Sequence, residues 1–425
     1  MRKLTYLFII ILTIGIITAC PQPPSIDGTD DGGNTNDGGD TNGDGTSEPT
    51  IERVSNINTS SAGSDPQYLK VYDGGLYFSA DDGARGRELW KYDGIAGTAS
   101  ITDDINDNPG SSSTPQNFAV FSSELYFQAD DGTTGRELWK YGGSGEAQQV
   151  ADINSGSAHS NVAFLVEYAS KLYFSGAESG FTSELHIWDG STLSLAANSS
   201  TTNQRYLSVL DASPNPILYY QANDGTDLEL WSYTDTGTSQ TEEKIDVLSG
   251  PGSSEPKELT SYSGSLYFSA KDSNGDYGFW EYQDGWENAQ ERPINDTGSS
   301  NPAGFTGYSG AVYFSADGGT GDGVELWSYS GSGDPQQVAD INPTGDSSPM
   351  HMVEFDGKLY FAAEDGEHGV ELWSYDGSSA PVLVRDINEG AEGSNPAYLT
   401  VVDNALYFAA DDGSGAGREL CRLVP

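Results

Sequence analysis

The sequence predicts an all-β fold: an eight-bladed β-propeller of four-stranded antiparallel blades, its ring closed by an N-terminal strand that completes the last blade. Three observations carry this. The stretch LYFSADDGARGRELWKYDG, residues 76–94, returns through the chain with its tyrosine at Tyr77, Tyr126, Tyr173, Tyr219, Tyr267, Tyr313, Tyr360 and Tyr407. Successive gaps are 49, 47, 46, 48, 46, 47 and 47, a true repeat. Each repeat holds four strand-like runs separated by acidic-Gly turns, and long helical periodicity is absent. The two ends of the repeat array are also complementary.

In the first repeat, strand a is expected over 68–72, and Asp73-Gly74-Gly75 turns the chain into strand b, 76–80. Asp81-Asp82-Gly83 opens the loop to strand c, 87–92, and Asp93-Gly94 begins the path to strand d, about 99–105. Glycine supplies the positive φ such turns need. A longer connection with a recurring Ser/Asn/Pro pattern follows, as in Asp386-Ile387-Asn388 through Ser394-Asn395-Pro396. The last repeat stops after strand c, at 419–423. An orphan at 54–58, Val54-Ser55-Asn56-Ile57-Asn58, matches the strand-d ending Val150-Ala151-Asp152-Ile153-Asn154. The orphan is therefore expected to complete the eighth blade and remove two open sheet edges.

Residues 1–20, MRKLTYLFIIILTIGIITAC, have a basic start, an apolar run and a small residue before Cys20. That is a secretory signal. Ile17-Thr18-Ala19-Cys20 resembles the bacterial lipobox, which implies cleavage before Cys20 and lipid attachment to its sulfur. The apolar run falls short of the roughly 20 residues a membrane span needs. Residues 21–50 are rich in Gly, Asp, Asn and Thr and nearly free of apolar side chains, so they read as a disordered acidic tether. Within it, Asp40 to Gly45 matches half of an EF-hand loop, but the closing acid would fall on Ile51, and the segment reads as linker. Residues 51–425 form the propeller. Pro21 after the lipidated cysteine, where an inner-membrane retention signal would place Asp, points to the outer membrane or cell surface. The expectation is an exported protein, lipid-anchored to the cell envelope and monomeric.

The formal charge is −45, from 19 basic and 64 acidic residues, which disfavours nucleic-acid binding. The 24 Tyr, 15 Phe and 8 Trp concentrate burial capacity in aromatic rings. Cys421 has no partner for a disulfide once Cys20 is lipidated.

The run Glu88-Leu89-Trp90-Lys91-Tyr92-Asp93-Gly94, followed by Gly97-Thr98 and Asp104-Ile105-Asn106, resembles the bacterial ELWxxDGT repeat, a relative of hyalin-type repeats. The resemblance covers 51–425. It implies a secreted or surface-attached protein and names no ligand. The tryptophan position reads Trp90, Trp139, His186, Trp231, Trp280, Trp327, Trp373 and Cys421, so repeats three and eight depart from the pattern.

Candidate chemistry begins with the acidic b–c loops: Asp81 and Asp82, Asp130 and Asp131, Asp411 and Asp412, and the D-x-N-x-D spacing of Asp272, Asn274 and Asp276. Calcium takes six to eight oxygens, which such loops could supply; a plain turn also wants Asp-Gly. The recurring Trp and Tyr read as packing between blades. Trp286 lies outside the repeat and is the one aromatic singled out as a ligand contact. No G-x-S-x-G elbow exists, and His159, His186, His351 and His368 sit in unrelated repeat positions without zinc-ligand spacing. No catalytic residue is therefore named. The functional expectation is a non-enzymatic surface module that binds a glycan or protein partner or acts as a scaffold. The alternatives are a structural envelope component with calcium-stabilised loops, or a polysaccharide-acting hydrolase or lyase.

Overall fold

The computed structural model describes residues 49–94, 99–180, 182–196, 200–211, 215–248, 252–295 and 297–424. The leader, Cys20 and the tether up to residue 48 lie outside the described residues. Residues Ser47–Pro425 form one compact unit of eight four-stranded antiparallel sheets. The expected eight-bladed β-propeller is the observed fold. In the first blade, strands a to d are Gln67–Tyr72, Gly75–Asp81, Arg87–Tyr92 and Ser100–Asp103. The a strands of neighbouring blades pack on one another around the axis, and Gln67–Tyr72 meets Ala397–Val402 of the last blade to close the circle.

The repeat tyrosine explains how blades are held side by side. Strand b is buried along its length, and Tyr77 and Phe78 have no exposed surface. From this position Tyr77 reaches Tyr141 on strand c of the next blade, with ring centroids 5.8 Å apart. The same pairing recurs at 5.9 Å for Tyr173–Tyr233, 5.7 Å for Tyr219–Tyr282, 6.1 Å for Tyr267–Tyr329, 5.7 Å for Tyr313–Tyr375 and 5.6 Å for Tyr407–Tyr92. Tilted and edge-on pairs of this kind add about 0.5–1.5 kcal/mol each beyond area burial. Where blade three offers Trp188 instead, its indole N–H donates to the Tyr126 hydroxyl at 3.0 Å. His186 and Cys421, in the tryptophan column, are buried packing groups; His186 stacks on Phe174 at 5.3 Å.

Ring closure follows the expected logic with a shifted strand. Thr50–Arg53 pairs antiparallel with Arg418–Val424, placing Ile51 opposite Leu423. The orphan at 54–58 is not itself the closing strand. The Val54 amide makes one last ladder bond to the Leu420 carbonyl at 2.9 Å, after which the chain leaves the sheet edge. Ile57 and Asn58 then give their amides to the Glu419 carboxylate at 3.2 and 3.3 Å.

That contact belongs to a device repeated around the ring. The glutamate that opens strand c has no exposed surface at Glu88, Glu137, Glu229, Glu325, Glu371 and Glu419. Each carboxylate takes amide hydrogens from the d–a connection. Glu88 accepts from Ile105 N at 2.9 Å and Ser113 N at 2.8 Å; Glu325 accepts from Ile341 N at 2.8 Å and the Ser347 hydroxyl at 2.6 Å. A buried carboxylate is tolerable only when bonded in this way. The Ser of the Ser/Asn/Pro pattern and the Ile-Asn of the strand-d ending are thus two halves of one clamp. Blade five lacks it, having Gly278 in place of the glutamate, and in blade three Glu184 is half-buried.

Candidate functional site at the axial mouth

Every a strand carries a register shift near its start, for example between Gln67 and Lys70 and between Lys257 and Thr260. One residue of each bulge has positive φ: Tyr68 at 56°, Asn117 at 59°, Phe164 at 56°, Tyr206 at 55°, Glu258 at 55°, Gly304 at 70°, His351 at 57° and Tyr398 at 57°. Such a conformation is costly for a residue with a Cβ, and bulges commonly re-aim a side chain beside a functional opening. The a strands are the innermost, so the eight positions form a ring about the axis. They share a face with the b–c loops, because Gln67 lies opposite Ser79, near the end of strand b.

Contacts between neighbouring members make this ring continuous over most of its course. Tyr398 meets Tyr68 at 5.4 Å and His351 at 5.5 Å, an arc of three rings on blades seven, eight and one. The Tyr68 hydroxyl donates to Gln116 Oε1 at 3.2 Å, and Asn117 Nδ2 donates to the Val162 carbonyl at 3.0 Å. Phe164 and Tyr206 pack at 5.2 Å. The Gly304 amide donates to Glu258 Oε2 at 2.7 Å. A cavity of about 420 Å³ opens on the side of blades three to seven, lined by Phe164, Tyr206, Glu258, Gly304, Thr306 and His351 among others. Burial, aided by the Arg418 guanidinium, lowers the His351 pKa.

The residues singled out from sequence are not gathered at this mouth. Each acidic loop spends its carboxylates on its own turn. Asp81 accepts the Gly83 amide at 2.7 Å, Asp82 the Ala84 and Arg85 amides at 2.9 and 2.8 Å, Asp130 the Gly132 amide at 2.8 Å and Asp131 the Thr133 and Thr134 amides, both at 2.8 Å. Asp411 and Asp412 do the same for Gly413 and Ser414. In blade five Asp272 accepts from the Asn274 and Asp276 amides at 2.8 and 2.9 Å, while Asp276 takes the Ser299 hydroxyl at 3.0 Å. At Asp82, Asp131 and Asp272 burial raises the pKa, but these hydrogen bonds outweigh it and the net shift is downward. Among the described residues no three His, Cys, Asp or Glu side chains converge to hold a metal ion. Trp286 is half-buried against the core between blades four and five, with the Arg292 guanidinium 6.0 Å from its ring.

No known family profile and no curated protein matches the chain. Among solved structures it is similar to a puromycin-hydrolysing peptidase of Mycobacterium tuberculosis, at 9% identity over 84% of this chain and 59% of that one, with a TM-score of 0.50. It is also similar to a structure from a study of two prolyl endopeptidases, at 9% identity over 84% and 55% of the respective chains, with a TM-score of 0.51. The chain thus spans less than two thirds of the length of these structures. At such identity the likeness shows the propeller fold. It also corrects the expectation of a non-enzymatic binding or scaffold module, and with it the expectation that the chain is not an enzyme: the propellers it resembles are those of peptidases.

Proposed function

We propose that the chain has a hydrolase-type function directed at peptides, and that the axial mouth receives the substrate. One observation carries the reading. Eight bulges, seven of them strained, set out a column of residues that does not repeat from blade to blade, while the strands behind them repeat closely, and five blades share one opening of about 420 Å³. Packing alone asks for the same residue in every blade. Hydrolysis of an amide needs a group that takes the proton of the attacking water and returns it to the leaving amine. The His351 imidazole at the mouth, one of the residues lining the opening, is the group assigned that task.

The test uses the full chain and a panel of internally quenched peptides. Turnover by the unmodified chain is expected, with kcat falling by about 10²-fold or more in His351→Ala, the usual span for loss of a general base, and KM changing little. No turnover of any peptide by the unmodified chain overturns the reading.

The same proposal places the ring at the cell envelope, anchored through lipid on Cys20 and held off the bilayer by residues 21–50, as a member of the ELWxxDGT-repeat group. Labelling with a clickable fatty acid, lost in Cys20→Ser, is the expected outcome; equal labelling of both would remove the anchor from the proposal.

A further inference from the structure

We infer that the notch at blade six of the axial mouth is a pocket for an alkylammonium group, a lysine side chain or the free amino terminus of a peptide. This rests on the peptide reading above and names the substrate class. The notch exists because one bulge position lacks a side chain. Gly304 stands where blades one, four and eight carry tyrosine and blade seven carries His351, and a Cβ built on Gly304 meets nothing within 4 Å. The gap is bordered by Glu258 on blade five and His351 on blade seven, with Thr260 and Thr306 beside them.

The chemistry of that border selects a cation. Among the described residues, Glu258 is the one carboxylate lining the cavity, and no lysine or arginine lines it. Its Oε2 is held by the Gly304 amide at 2.7 Å, which fixes the side chain, and no described residue bonds its Oε1. The backbone at Glu258 is held at a φ of 55°, so the bulge aims the carboxylate. Phe164 and Tyr206 supply ring faces on the adjoining side, and aromatic faces attract an ammonium group. The His351 ring and the Thr260 and Thr306 hydroxyls, which line the same cavity, offer acceptors for the remaining N–H groups. A charge of −45 on the whole chain favours the approach of a cation.

The experiment measures binding of fluorescein-labelled peptides to the full chain by polarisation, in matched sets: lysine against glutamine at one position, and free against acetylated amino terminus. A cationic peptide is expected to bind about tenfold or more tighter than its neutral match, with the gap closing as salt rises. Preference in the lysine set assigns the side chain, and preference in the terminus set assigns the amino group. Glu258→Gln, which keeps the shape and the bond to Gly304, is expected to erase the preference. Gly304→Tyr, which restores the residue of three other blades, is expected to weaken all peptides by blocking the notch; should it fail to fold, Glu258→Gln decides. Equal binding of charged and neutral peptides, or a preference that survives in Glu258→Gln, overturns the inference. Retained selectivity without turnover would defeat hydrolysis and leave the pocket standing. Turnover without charge preference would do the reverse.

Discussion

Glu229 and Ser254, 25 residues apart, are joined twice: the buried carboxylate accepts the serine amide at 2.7 Å and its hydroxyl at 2.6 Å. A third bond comes from the Val247 amide at 3.2 Å. The pair ties strand c of blade four to the connection that enters blade five. Removing the carboxylate in Glu229→Ala strands two buried amides and a hydroxyl, each costing about 1–3 kcal/mol. We expect a loss of at least about 3 kcal/mol, against about 1 kcal/mol for Ser254→Ala, which forfeits only the hydroxyl. Guanidinium denaturation followed by tryptophan fluorescence reads both. A loss below about 0.5 kcal/mol in Glu229→Ala would show that the clamp contributes little.

The clamps also set a pH dependence. Burial pushes the Glu88 and Glu137 carboxyls up to about 7, while the amide and serine donors pull them back. Burial raises Glu229, Glu325 and Glu371 as well. Between about pH 4.5 and 7 the folded chain therefore keeps protons that the unfolded chain has released, and the stability these groups contribute falls as pH rises through that window. Lower net negative charge acts in the same direction on acidification. Asp224 and Asp376, held near 2 by hydrogen bonds to their own turns, contribute in the opposite sense and lose their part only as pH drops below about 4. Melting temperature should be highest near pH 5 and decline towards pH 8; a curve that rises from 5 to 8 contradicts this assignment.

The ring was legible because its signals are local and repeated. A tyrosine every 47 residues or so, acidic-Gly turns and a missing last strand d fix both the blade and its closure. The closing strand slipped because the sequence match lay in Val54 to Asn58, which serves the clamp, whereas Thr50–Arg53 makes the ladder and matches no motif. The clamp itself was hidden for a physical reason. Glutamate reads as a surface residue, and only burial together with amides 17 and 25 positions away reveals its task, as at Glu88. The mouth was missed because repeat reading follows what recurs. Its residues, from Tyr68 to Tyr398, occupy a constant place with changing identity; a column of Tyr, Asn, Phe, Tyr, Glu, Gly, His and Tyr at the start of strand a was the available signal.

Closure predicts a specific failure. Without Thr50–Arg53, the edge of Arg418–Val424 presents unpaired amides and carbonyls, a template for another chain. A chain beginning at residue 54 should melt lower and self-associate, as read by calorimetry and size-exclusion chromatography with light scattering. A synthetic peptide of residues 47–58 added in trans should restore the monomer. A truncated chain that stays monomeric at the original melting temperature would show that the N-terminal strand is dispensable.

Blade five offers the converse experiment, because its clamp can be built. Gly278 stands where other blades have the buried glutamate, and Ser300, 2% exposed, waits in the serine position with its amide on the Tyr277 carbonyl at 2.8 Å. The 22-residue spacing from Gly278 to Ser300 equals that between Glu325 and Ser347, which are bonded. The obstacle is Glu291, whose Oε1 would lie 2.7 Å from a new Cβ and whose carboxyl burial already pushes upward in pKa. A second carboxylate there would add like-charge repulsion. The double change Gly278→Glu with Glu291→Ala removes that conflict, replaces a strand glycine at about 0.5–1 kcal/mol in favour of the folded state, and gives the Ser300 hydroxyl a charged partner. We expect a net gain of about 1 kcal/mol and a higher melting temperature. Gly278→Glu alone should be neutral or destabilising. A fall in stability for the double variant equal to that of the single one would show that blade five has repacked around its glycine and no longer accepts the clamp.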